Sequence, residues 1–478
     1  MRGHLAILAA LAWARVGLGQ GPNDMSAPAA RASAAQTDVN TGVIGSRIRS
    51  ASAGDTIRVP AGVYREHLRI DKPLTLIGEP GAVLDGGGRG DIVEVAAPDV
   101  TLSGFVIRNT GIDLDHENAG VRVMAPRARI ENNTLDDTLF GIDLRDASDS
   151  VVRGNRVGGK DLDVARRGDG IRLWRSDRTL VEGNTIHDGR DAVLWYSKGI
   201  TVRGNTAERC RYGFHLMYSD EVTLEDNEVV ENSVGIYLMY STGIEVRRNR
   251  MIRNRGPSGY GLGLKETDRF VVENNLFVGN RAGIYLDGSP FSPRIPGVFA
   301  RNTIAYNDVG AVFLPAVRGN RFTLNNFVDN IEQVAVLGRG SLAGNEFWVG
   351  ETGNFWTDYQ GYDQNRDGVG DFVHESFTLF ENLVDRHPKL RLLLFSPAQQ
   401  AIEFVGRAIP AVRPEPKFID EVPLVRPVPV DAGRPAQRPD RAGLSLVALA
   451  MGGGGLALVF VARPRGMARR RRNNGGAA

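Results

Sequence analysis

The amino-acid sequence predicts an all-β chain wound as a right-handed parallel β-helix, a solenoid followed by a Pro-rich C-terminal tether and one transmembrane helix. Three observations carry that expectation. The first is an Asn that returns at the end of short alternating runs: Val181-Glu-Gly-Asn184, Val202-Arg-Gly-Asn205, Leu224-Glu-Asp-Asn227, Val246-Arg-Arg-Asn249, Val272-Glu-Asn-Asn275 and Phe299-Ala-Arg-Asn302. The second is a further strand in each period, as in Gly170-Ile-Arg-Leu-Trp174, Asp191-Ala-Val-Leu-Trp195, Gly213-Phe-His-Leu-Met217, Gly235-Ile-Tyr-Leu-Met239, Gly261-Leu-Gly-Leu-Lys265 and Gly283-Ile-Tyr-Leu-Asp287. The third is the period of about 22 residues, which suits a coil of three short strands and is too short for a propeller blade of roughly 40–45 residues.

The elements follow in chain order. Residues 1–20 read as a signal peptide: Met1-Arg2, an apolar run from Leu5 to Ala14, then small residues to Gly19. A frayed N-terminal helix is the alternative. Residues 40–350 are expected to form the solenoid, its Asn column reaching back to Asn109, Asn133 and Asn155 and forward to Asn326 and Asn345. Such a column satisfies buried amides from coil to coil. Residues 351–408 are expected to cap it.

That cap contains Asp363-Gln-Asn365-Arg-Asp367-Gly368-Val-Gly370-Asp371. Oxygen side chains at alternate positions before a Gly resemble the start of a calcium loop, so Asp363, Asn365, Asp367 and Asp371 are candidate Ca²⁺ ligands. The distal Glu of an EF-hand is missing, and a solvated turn is the equal alternative. Residues 409–441 are rich in proline and read as an extended linker. Residues 443–462 carry no charge and are long enough to cross a bilayer core of roughly 30 Å as a helix. The basic tail at 463–478 would stay cytoplasmic and the body would lie in the periplasm. Gly452 to Gly455 are poor helix material, which leaves a removable sorting tail as the alternative to an anchor.

Composition removes several functions. Lys and Arg number 58 against 56 Asp and Glu, so no general attraction to nucleic acid exists and no nucleic-acid partner is expected. Cys210 is the single cysteine, which excludes an intramolecular disulfide and a cysteine-built zinc or iron–sulfur site. No Gly-x-Ser-x-Gly motif occurs, and the outward Asp143 and Asp287 lie many coils apart, whereas glycosidic chemistry needs two carboxylates roughly 5–9.5 Å apart. Asp169, Asp188 and Asp191 lie near strand ends, where a site stays open. A non-catalytic solenoid is expected, with a polysaccharide-binding or -cleaving protein as the alternative.

Strand period 2 places Ile171, Leu173, Phe214, Leu216, Ile236 and Leu238 inside, and Arg172, Val193, His215, Tyr237 and Tyr285 outside in one column. A neighbouring outward column holds Met124, Arg145, Trp174, Trp195, Met217, Met239, Lys265 and Asp287. Exposed His215, Met217 and Met239 offer imidazole and thioethers, which suit a soft monovalent ion such as Cu(I). The other reading of the same column is a surface for a partner, with Trp174, Trp195, Tyr237 and Lys265 as its contacts. The repeated Tyr196-Ser197, Tyr218-Ser219 and Tyr240-Ser241 make part of the pattern structural.

Taken together, Gly168 to Trp174, Asp191 to Ser197, Arg211 to Ser219, Gly235 to Ser241, Ser258 to Lys265 and Gly283 to Asp287, with Ser396-Pro-Ala-Gln-Gln-Ala401, Pro414-Glu-Pro416 and Pro423-Leu-Val-Arg-Pro427, resemble the NosD family over about residues 40 to 430. The resemblance implies a periplasmic partner of an ABC-type permease and ATPase in denitrification. It further implies accepting Cu(I) from a copper chaperone and helping to mature the copper sites of apo nitrous oxide reductase. His215, Met217 and Met239 are read from column geometry and are not carried over from the family.

Overall fold

The computed structural model describes residues 39–433, apart from 293, 339, 377 and 413. The signal-like segment 1–20, the apolar run 443–462 and the basic tail 463–478 lie outside the described residues. Among the described residues no helix is long and apolar enough to cross a membrane.

The chain coils as a parallel solenoid, each turn adding one strand to each of three sheets of 14, 12 and 12 strands. Alternation sets the inside. In Val234–Met239, Ile236 and Leu238 are fully buried while Tyr237 and Met239 are half-buried; Phe214 and Leu216 in Tyr212–Met217 and Leu262 and Leu264 in Tyr260–Lys265 take the same inward positions, although His215 and Gly263 between them are buried too. Because each coil pairs in register with the next, inward residues form columns of Val, Ile, Leu and Phe that make one continuous core.

All three corners of the coil carry a side-chain ladder. At the first, Asn205 donates its backbone N–H and its Nδ2 to Asn227 Oδ1, both at 3.0 Å, and Nδ2 also donates to the Val181 carbonyl at 2.9 Å. This column runs through Asn133, Asn155, Asn184, Asn205, Asn227, Asn249, Asn275, Asn302, Asn325 and Asn354, and ends on Asp420, whose Oδ2 accepts the Asn354 N–H at 2.7 Å. Three expected members leave it. Asn109 donates to Asp85; Asn326 pairs with Val428; Asn345 caps Asn320 in another column. The rung falls on the residue just before the strand, which is Asn325 ahead of Asn326–Val328, as Asn302 is ahead of Thr303–Ala305. A second Asn column (Asn232, Asn254, Asn280, Asn307, Asn330) lines the next corner, and Ser176, Ser197, Ser219 and Ser241 line the third.

The ends are closed by helices. Helix α1 (Val43–Ser50) buries Ile44 and Ile48 over the first coils. Its Gly42 N-cap offers no side chain, so Glu66 accepts the Ile44 and Gly45 N–H groups instead. At the other end α2 (Leu379–Arg386) buries Phe380 and Val384, and α3 (Pro397–Ala408) begins with Ser396 Oγ accepting the Gln399 N–H. Lys417 ties this cap to the last coils through Glu332 and Asp385, both at 2.7 Å. The Pro-rich segment then returns along the solenoid: Leu424 N–H bonds the Asn354 carbonyl at 2.9 Å and Val428 pairs with Asn326. The first part of 409–441 is therefore docked.

Candidate functional site

The two expected outward columns exist on the third sheet, the 12-stranded one that contains Tyr212–Met217 and Val234–Met239. Trp174, Trp195, Met217, Met239, Lys265 and Asp287 are successive register partners, and so are Arg172, Val193, His215, Tyr237, Gly263 and Tyr285. Outward does not mean exposed. His215 is only 5% exposed, which corrects the expectation of exposed ligands; Met217 and Met239 are half-buried. The reason is the rings around it. Tyr212, Trp195 and Tyr237 have centroids 4.9, 6.0 and 6.4 Å from the imidazole.

Each nitrogen of His215 faces a side chain. Nδ1 lies 3.3 Å from Asp191 Oδ2, and Nε2 lies 3.4 Å from Met239 Sδ. Met217 is one coil before Met239 in register. Asp191 is fully buried and also takes the Arg211 guanidinium. Burial pushes its carboxyl up, but hydrogen bonds from His215 and Arg211 outweigh it and hold the group below the usual carboxylate range.

The remaining column residues differ in their commitments. Trp195 packs edge-on against Trp174 at 5.5 Å, and its Nε1 is buried with no hydrogen-bond partner. Lys265 faces Asp287 at 3.6 Å and the Tyr240 ring at 5.9 Å. Beside them Tyr196, Tyr218 and Tyr240 stack at 5.2 and 5.0 Å with φ of 51, 51 and 53°. Positive φ is uncommon for bulky residues, and the stack leaves Tyr196 and Tyr218 exposed.

Toward the N-terminus the same face is charged. Asp143, fully buried, accepts Arg122 Nη1 at 2.7 Å, Arg172 Nε at 2.8 Å and Arg145 Nε at 2.9 Å. Glu117 takes Arg172 at 2.7 and 2.8 Å, and Asp91 takes Arg122 at 2.7 Å. Three guanidinium groups thus meet three carboxylates. Hydrogen bonding to Arg172 holds Glu117 down at about 2 against the opposing effect of burial. Burial raises Asp169 to about 6 even though Arg190 bonds it at 2.9 Å.

The Asp/Gly loop turns on itself. Asp363 accepts the Asp367 and Gly368 N–H groups, Asp367 accepts Val369 N–H, Asn365 Nδ2 donates to Asp367, and Asp371 accepts Gln364 N–H. Among the described residues no three His, Cys, Asp or Glu side chains converge as a metal site; thioethers fall outside that set. Sequence reasoning overlooked Asp191 as the partner of His215. Its signal was present, because Asp191 stands where Gly170, Gly213 and Gly235 open the equivalent strands.

A family model described as "Periplasmic copper-binding protein (NosD)" matches residues 155–361. Two proteins, each named "Probable ABC transporter binding protein NosD", are 30% identical (Stutzerimonas stutzeri) and 32% identical (Pseudomonas aeruginosa). The alignments cover 77% and 78% of this chain, and 86% and 89% of theirs. Among solved structures, the A-module of a mannuronan C-5 epimerase from Azotobacter vinelandii aligns with a TM-score of 0.51 at 14% identity, over 63% of this chain and 92% of that one. That likeness is one of fold alone.

Proposed function

Since the chain belongs to the NosD family, we propose that it is a periplasmic accessory of an ABC transporter that carries Cu(I) on its third sheet, with His215, Met217 and Met239 as ligands. The carrying observation is the 3.4 Å approach of His215 Nε2 to Met239 Sδ, with Nδ1 held by Asp191. An imidazole and thioethers are the donors a soft monovalent ion prefers over oxygen. The set is neutral, so binding adds no anionic grip and the ion can be handed on. In this reading a copper chaperone loads the site, the permease and ATPase complex is the docking partner, and apo nitrous oxide reductase is the recipient.

A second role is supported by the exposed ring stack of Tyr196 and Tyr218 beside Trp174 and Trp195, which fits a contact surface for those partners. No catalytic step is proposed. Asp143, Asp169 and Asp191 are each paired with arginine.

The test is titration of the exported protein with Cu(I) against a competing chelator. The Met217→Ala, Met239→Ala double variant is expected to lose at least about tenfold in affinity, or about 1.4 kcal/mol. Undiminished uptake by that variant would remove the proposed ligands.

A further inference from the structure

Resting on the reading of His215 as a copper ligand, we infer that Asp191 is a positioning residue, clamped by Arg211, that fixes which imidazole nitrogen of His215 is presented to the metal. The placement is local and specific. The coil pairing is regular on either side, but between Asp191 and Val193 the register to the next coil shifts, so that Asp191 pairs with Tyr212 while Val193 pairs with His215. A bulge of this kind re-aims side chains.

A fully buried carboxylate is costly unless it is paired and hydrogen-bonded. Asp191 meets that requirement on both oxygens. Oδ1 accepts Arg211 Nε at 2.9 Å and the Tyr212 N–H at 3.2 Å; Oδ2 accepts Arg211 Nη2 and faces His215 Nδ1 at 3.3 Å. The guanidinium lies over the Tyr212 ring at 4.6 Å, and that ring meets the imidazole edge-on at 4.9 Å. Arg211, Asp191, Tyr212 and His215 therefore lock one another.

An ionised carboxylate only accepts, so the proton of a neutral His215 sits on Nδ1. Nε2 then presents its lone pair to the Met239 sulfur, 3.4 Å away. Two lone pairs facing across that gap gain nothing from each other, and a soft cation bound by both does. This is the outer-shell arrangement in which a carboxylate orients a ligating imidazole, whose loss costs roughly 10–100-fold in metal affinity. The adjoining Asp169 is bound on both oxygens by Arg190, and His215 Nδ1 faces Asp191.

Nitrogen-resolved NMR of the metal-free protein reads the tautomer directly, without depending on copper. The wild type is expected to carry the His215 proton on Nδ1. In Asp191→Asn the amide NH₂ donates to Nδ1, so the proton moves to Nε2 and Cu(I) affinity falls about 10–100-fold, with sulfur ligation retained in copper X-ray absorption. Arg211→Lys, which keeps the carboxylate but loosens the clamp, is expected to fall between. A wild-type proton on Nε2 would overturn the inference. So would an Asp191→Asn protein with unchanged copper affinity while His215→Ala loses it. If His215→Ala itself binds copper normally, the ligand assignment fails instead.

Discussion

Two stretches of one outer face, centred on Asp143 and on His215 three coils further along, use neighbouring backbone rungs for opposite purposes. Around Asp143 each donor meets an acceptor: Arg122, Arg145 and Arg172 are neutralised by Asp91, Glu117 and Asp143. Around His215 the outer atoms are an imidazole nitrogen, a thioether sulfur and an indole N–H without a partner. The register pairs that join them, Asp143 to Arg172 to Val193 to His215, are unbroken. The fold therefore supplies spacing, and reactivity depends on which groups are left unpaired by their neighbours. A saturated charge network stabilises; an unsaturated soft cluster is available to a ligand.

Substitutions test that contrast. The largest effect is expected from Asp143→Ala, which strands buried arginines and should cost about 3–5 kcal/mol in chemical denaturation without altering copper affinity. His215→Ala should do the reverse, lowering Cu(I) affinity about 100-fold, close to 2.8 kcal/mol, with a smaller change in stability. A copper loss in Asp143→Ala with fold intact would break the distinction between the two stretches. Asn249→Ala removes one rung of the ladder that runs the length of both regions and should cost about 1–3 kcal/mol, again with copper affinity retained.

A smaller, pH-linked effect separates the regions further. The folded pKa of Glu117 lies at about 2, below its ordinary value of 4.5. Its contribution is present above about pH 4.5 and is lost as the pH falls toward 2. The melting temperature should fall over that window, and less so in Glu117→Gln. The smallest effect on stability, within about 0.5 kcal/mol, is expected from Tyr218→Ala, which should nonetheless weaken copurification with the transporter if the ring stack is a contact surface.

Much of this was legible in the sequence because a solenoid converts period directly into adjacency. The 22-residue return placed Met217 beside Met239 and His215 beside Tyr237, and the strands pair in both registers. What periodicity could not give was burial. Outward residues are expected to be wet, yet His215 is roofed by Tyr212, Trp195 and Tyr237, rings contributed by different coils and by a bulge. Nor could it distinguish Asn325 from Asn326, since adjacent identical residues differ only in which one precedes the strand. The Asp191 partnership was only half visible: the substitution of Asp for the recurring Gly marked the position, but its contact with His215 depends on a register shift that a strict repeat does not contain. The docking of Val428 on Asn326 joins positions 102 residues apart that no repeat relates.

Copper K-edge X-ray absorption on the exported protein loaded with one equivalent of Cu(I) tests the soft-cluster reading most directly. A mixed shell of imidazole nitrogen and thioether sulfur, losing its nitrogen in His215→Ala and its sulfur in Met217→Ala, Met239→Ala, is the expected result. A shell without sulfur, or no copper retained at all, would contradict it.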